Sequence, residues 1–137
     1  MITYHIKRGS PVVLDEEAEI FITQIISQIV REKGYIVHAY NICRDHVHMI
    51  IECRADEIAN IVRLLKGKSS QKYKGHLNIR ADEKFHLWTQ KYNKWMITTD
   101  IQFYNTVKYI IHNRQKHKLL RNAELESLID GIAFTRL

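Results

Sequence analysis

The chain has 137 residues, 45% of them hydrophobic and 26% charged. That balance excludes a disordered chain and a peptide too short to bury a core, and it predicts one domain spanning residues 1–137. The 21 basic against 15 acidic side chains leave a formal charge of +6, which suits a polyanionic partner, most often nucleic acid, although solubility alone also accounts for it. Cys43 and Cys53 form neither a Cys-x-x-Cys motif nor a disulfide framework, so free buried thiols in a reducing compartment are expected. No apolar run approaches the ~20 residues that span a bilayer. The stretch Met1 to Arg8 lacks a signal-peptide core, so a cytoplasmic protein is expected.

Taken in order, Thr3 to Lys7 reads as a short strand with Tyr4 and Ile6 on one face, broken by Gly9-Ser10-Pro11. Asp15-Glu16-Glu17 puts negative charge at a helix start, and Ile20, Phe21, Ile25, Ile29 and Val30 recur at helical spacing until Gly34 stops the run. Tyr35 to Ile42 and His46 to Cys53 read as hairpin strands joined by a tight turn at Arg44-Asp45. Asp56 to Lys66 is a second amphipathic helix, with Ile58, Ile61, Val62 and Leu65 as its stripe and Gly67 as its stop. Leu87 to Thr98 reads as a long strand with a break near Lys91–Asn93. Thr99 or Asp100 caps a third helix over Ile101 to Lys116, and a short helix over Ala123 to Asp130 ends the series. The order βαββαβ followed by a helix predicts an α+β, ferredoxin-like antiparallel sheet with two helices on one face and an added C-terminal helix.

The stretch that carries chemistry is His46-Val47-His48. Strand side chains alternate, so both histidines share one face while Val47, Met49 and Ile51 turn to the other and anchor in a core. Two imidazoles on one rigid strand can share a divalent metal; the plain alternative is two half-exposed surface histidines. On the third helix Tyr109 and Asn113 are four residues apart and share a face, whereas Phe103, Val107, Ile110 and Ile111 cluster roughly opposite Tyr109. Tyr109 is thus off the packing stripe, and Asn113 can add an oxygen ligand to a metal held by His46 and His48. Tyr104 is the rival nucleophile, but its neighbour one turn on is Lys108, which offers no acceptor. His112 is a candidate assistant or a plain surface histidine. The segment Lys66 to Lys74, basic and hydroxyl-rich, reads as a loop: Lys66, Lys68, Ser69 and Lys72 would meet phosphates and Tyr73 would stack on a base, unless it is merely a solvated loop. Arg114 and Lys116 begin a basic tail with the same use. A zinc site from Cys43, His46 and His48 is a third option, short of a fourth ligand.

These pieces resemble the HUH single-tyrosine DNA transposases, in particular the REP-associated tyrosine transposases. The resemblance rests on His46-Val47-His48-Met49-Ile50, on Leu64-Leu65-Lys66-Gly67 with Ser69-Ser70, on Phe85 to Tyr92, and on Thr106 to Arg114, and so runs over nearly the whole chain. One departure is Arg114, where many REP-associated members have proline after the asparagine. The resemblance implies a metal-dependent enzyme, with Mg²⁺ or Mn²⁺ held by His46, His48 and Asn113 and with Tyr109 as the nucleophile. It implies cleavage and rejoining of single-stranded, hairpin-forming DNA through a 5′-phosphotyrosine, and a tyrosine helix acting within its own subunit or exchanged in a homodimer. The alternative is a non-catalytic nucleic-acid-binding domain of the same fold.

Overall fold

A computed structural model describes residues 1–80 and 82–133. The elements run β1 (Ile2–Gly9), α1 (Glu16–Lys33), β2 (Ile36–Cys43), β3 (His46–Cys53), α2 (Ile58–His76), β4 (Asn93–Ile97), α3 (Asp100–Ile111), α4 (Asn113–Lys116) and α5 (Ala123–Ile132). All sheet pairings are antiparallel, in the order β2-β3-β1-β4. With β3 between β1 and β2, the helix α1 must cross over between two parallel strands, and this is the ferredoxin-like βαββαβ arrangement that the sequence predicts.

Helix α1 begins where Asp15 accepts from the Ala18 N–H and ends at Gly34, whose φ of 67° lies in the left-handed region that glycine adopts without strain. Its buried Ile22, Ile25, Ile26 and Ile29 pack with Val47, Met49 and Ile51 of β3. Burial of each such side chain stabilises the fold by about 1.5–3 kcal/mol. Helices α2 and α5 complete this main core.

The second face of the sheet is not left open. Val107 and Ile110 of α3 pack on Ala39, Ile50 and Ile97, with Phe103 at the margin. The odd residues of β3 thus serve one core, while Ile50, between the chemistry and the bulk, seats α3 on the other.

Three boundaries differ from expectation. Gly67 does not end α2: the helix continues to His76 because the buried stripe runs on from Leu65 through Ser69 to Tyr73 at four-residue steps. The segment expected as a basic loop is therefore helical. The Leu87–Gln90 stretch is not strand; Leu87 and Trp88 are buried there as irregular chain, and pairing with β1 begins only at Asn93. The helix expected over Ile101 to Lys116 breaks at His112 (φ −91°, ψ 5°) into α3 and α4.

Candidate active site

The floor of the site follows from strand register. His46 lies opposite Cys43 on β2 and Gly9 on β1, and His48 opposite Asn41 and Lys7. Cross-strand partners point to the same face, so these groups surround the imidazoles. His5, two residues from Lys7, shares that face, with Trp95 of β4 as its own partner.

The wall is α3 and α4. The Asn41 amide donates to the carbonyls of Ile110 (2.8 Å) and Ile111 (3.3 Å), satisfying acceptors that every helix end leaves over. Arg114 donates to the Ile42 carbonyl (2.9 Å) and to the Glu19 carboxylate (2.6 Å). These bonds clamp the helix break against β2. Asn113, first residue of α4, is buried; its Oδ1 accepts from the Cys43 thiol (2.9 Å) and lies 3.0 Å from His46 Nε2. One turn earlier, the Tyr109 ring stands edge-on to His48 at 5.4 Å between centroids, with Lys116 Nζ 5.1 Å from its own centroid. Tyr109 remains 42% exposed, so the ring touches the histidines and is still open to a substrate.

Burial disfavours the charged form of two imidazoles, His48 and His5. Burial, with lesser contributions from His5, His46, Lys7 and His117, pulls His48 down to about 3. Burial and then Lys7 bring His5 to about 4. Asp45 accepts at 2.8 Å from His46 Nδ1, and that hydrogen bond holds its carboxyl below the usual range. With Nδ1 beside Asp45, His46 turns its Nε2 toward Asn113 Oδ1. Among the described residues, His48 Nε2 and Asn113 Nδ2 are buried polar atoms with no hydrogen-bond partner. The unpartnered His48 nitrogen, with the His46 ring and the Asn113 amide oxygen nearby, fits a divalent cation. Cys43, the thiol of the zinc option, donates a hydrogen bond to Asn113 Oδ1, and burial raises it to about 12. Among the described residues no three His, Cys, Asp or Glu side chains group as metal ligands.

The structure thus brings His46, His48, Tyr109 and Asn113 together and leaves others apart. Tyr104 is half exposed, with Lys108 Nζ 4.7 Å from its ring centroid, and makes no ring contact with the histidines. His112 is exposed at the break. Two expected phosphate or base contacts are corrected. Ser69 is buried, donating to the Leu65 carbonyl (2.6 Å) and accepting from Trp88 Nε1 (2.8 Å). Tyr73 is buried against Phe21 and Phe85, with no ring face left for a base. Arg114 is a third correction, since its guanidinium is spent on Glu19 and Ile42 inside the fold. Lys68 and Lys72 are exposed and Lys66 half-buried, all on α2 and so across the sheet from the imidazoles. Lys116 alone of the expected basic contacts stands beside Tyr109.

Sequence reasoning passed over four contributors: His5, Asp45, Asn41 and His117, whose ring lies 5.3 Å from His46. Asp45 was legible as the neighbour of His46. His5 had the parity opposite to Tyr4 and Ile6, which places it away from the main core; its pairing register was the missing piece.

Comparison with known proteins places the fold and the family. Residues 3–113 match the family model for IS200-like transposases. No curated protein matches the chain. A solved REP-associated tyrosine transposase, bound to a REP hairpin, superposes with a TM-score of 0.68 at 15% identity, over 87% of this chain and 70% of that one. A candidate transposase from Deinococcus radiodurans superposes with a TM-score of 0.59 at 20% identity, over 82% of this chain and 89% of that one. At such identities the two structures speak for the fold, and the family match speaks for kinship. The chain belongs to the IS200-like transposase family.

Proposed function

We propose that this transposase cleaves and rejoins single-stranded DNA at Tyr109, with a divalent cation, Mg²⁺ or Mn²⁺, held by His46, His48 and Asn113. The observation that carries the reading is the edge-on packing of Tyr109 against His48 within one chain, beside the His46–Asn113 contact. This reading has the tyrosine helix acting within its own subunit. The cation, when bound, supplies Lewis-acid polarisation of the scissile phosphate.

The residues do the rest. His46 and His48, fixed on β3, and Asn113, fixed by Cys43 and the α4 clamp, hold one oxygen-binding position with little freedom. The Tyr109 oxygen attacks phosphorus, the P–O3′ bond breaks, and the 3′ oxygen leaves and takes up a proton as the phenol proton is released. The 5′ end stays on the tyrosine, so a later 3′-hydroxyl can reverse the step and restore the strand. Lys116, beside the Tyr109 ring, puts positive charge where phenolate and phosphate charge develop. Lys68 and Lys72 grip flanking backbone away from the scissile bond, and the solved relative's hairpin suggests that the flank is folded DNA.

The test is incubation with single-stranded hairpin oligonucleotides and Mn²⁺, read as a covalent adduct on a denaturing gel. The adduct is expected with wild type and Tyr104→Phe and is lost with Tyr109→Phe. An adduct that survives Tyr109→Phe refutes the assignment. Binding without adduct across varied hairpins establishes the non-catalytic alternative.

A further inference from the structure

His48 has two ring nitrogens in opposite situations. Nδ1 lies 2.9 Å from Nε2 of His5, and Nε2 is buried without a partner. The two rings stack at 5.1 Å, and Trp95 braces the far side of His5 at 4.8 Å. A nitrogen pair at that separation holds one proton between two neutral rings, and its position decides what His48 offers elsewhere. If the proton belongs to His5 Nε2, then His48 accepts at Nδ1 and its own single ring proton sits on Nε2, a buried donor with nothing to receive it. If the proton belongs to His48 Nδ1, then His5 accepts, and Nε2 of His48 is a bare lone pair. His5 then carries its own proton on Nδ1, an atom that is not among the buried unpartnered ones. Both arrangements leave Nε2 unpartnered in the interior, but the second strands a lone pair, which a bound cation can satisfy, and the first an N–H, which it cannot.

We infer that His5 is a positioning residue: it accepts the Nδ1 proton of His48, fixes that tautomer and ring orientation, and so presents the Nε2 lone pair to the cation. Asp45 does the same for His46, and there the direction is settled by chemistry, because a carboxylate can only accept. The two ligand histidines thus have one supporting partner each, one from the hairpin turn and one from β1. This inference rests on the metal reading proposed above. It adds to it the source of the second ligand's tautomer, which the His46-Val47-His48 motif does not contain.

The experiment reads tautomer and affinity separately. Long-range ¹⁵N–¹H correlation of ring nitrogens in metal-free protein is expected to show His48 as the Nδ1–H form in wild type and a mixture in His5→Phe, which keeps a ring between Trp95 and His48 but has no acceptor. His5→Gln, whose amide oxygen can accept, is expected to retain the Nδ1–H form. Mn²⁺ binding followed by electron paramagnetic resonance is expected to weaken by about 10–100-fold in His5→Phe and to recover most of that loss in His5→Gln. Thermal melting checks that each variant folds, and His5→Leu, which also lacks an acceptor, carries the test with the same expected loss if His5→Phe does not fold. An Nε2–H form in wild type overturns the inference, as does unchanged tautomer and Mn²⁺ affinity in His5→Phe. A wild type with the Nδ1–H form that binds no Mn²⁺ refutes the metal reading and still supports the tautomer assignment.

Discussion

Arg114→Ala separates two roles for one cation. By sequence, Arg114 opens a basic tail for DNA; in the fold its guanidinium reaches Glu19 at 2.6 Å and the Ile42 carbonyl at 2.9 Å, with side-chain exposures of 12% for Arg114 and 3% for Glu19. Removing the arginine leaves the carboxylate with the Arg44 N–H as its remaining partner, and stranding a buried charge costs about 3–5 kcal/mol. Unfolding entropy of about 2.1 cal/mol/K per residue, taken over 137 residues, converts that to a fall in Tm of about 10–17 °C. Glu19→Met with Arg114→Met removes both charges and is expected to recover at least half of the loss, the remainder being the unmet Ile42 carbonyl and Arg44 N–H. Calorimetry and urea titration measure both variants. A loss below about 1 kcal/mol in Arg114→Ala refutes the buried role and returns Arg114 to the DNA surface. The double variant, where folded, keeps the wild-type salt dependence of DNA binding.

Three further outcomes follow from the same geometry. Ser69→Ala leaves the buried Trp88 N–H without its acceptor and is expected to cost about 1–3 kcal/mol in urea titration with no change in DNA affinity; a DNA defect in a fully stable variant contradicts the placement. Lys116→Ala is expected to reduce the slope of log affinity against log salt on single-stranded DNA by about 0.7, one phosphate contact, in filter-binding or anisotropy assays; an unchanged slope removes Lys116 from the substrate path. Burial holds Cys43 up near 12 and also raises Cys53, so both thiols are expected to resist a chromogenic disulfide reagent at pH 8 until the protein unfolds. Prompt reaction of either in native protein refutes that account.

The βαββαβ order was readable because each element carries its own local signal. Asp15 and Gly34 bracket α1, and β-branched runs flank the Arg44-Asp45 turn. The pairing of His46 with His48 needed only strand parity, and that of Tyr109 with Asn113 only helical period. What misled was composition standing in for phase. Gly67 with the four lysines Lys66, Lys68, Lys72 and Lys74 looks like a loop, yet Leu65, Ser69 and Tyr73 keep step with Ile61, and a glycine on the solvent side of a helix costs only ~1 kcal/mol. The same phase argument would have moved Ser69 and Tyr73 from the DNA to the interior. Arg114 was misread because its partner Glu19 is distant in sequence and lies in the first turns of α1, where acids normally serve the helix dipole. His5 needed the β1–β3 register, which no local pattern encodes.

Strand β3 carries two unrelated duties on alternate side chains, with Val47, Met49 and Ile51 in the main core and His46, His48 and Ile50 on the side of α3. Selection can therefore act on foldability and on chemistry through interleaved positions of a single eight-residue segment. A lineage that loses its substrate can let the histidines drift while every second residue stays constrained, and would decay into a stable but inert domain rather than an unfolded one.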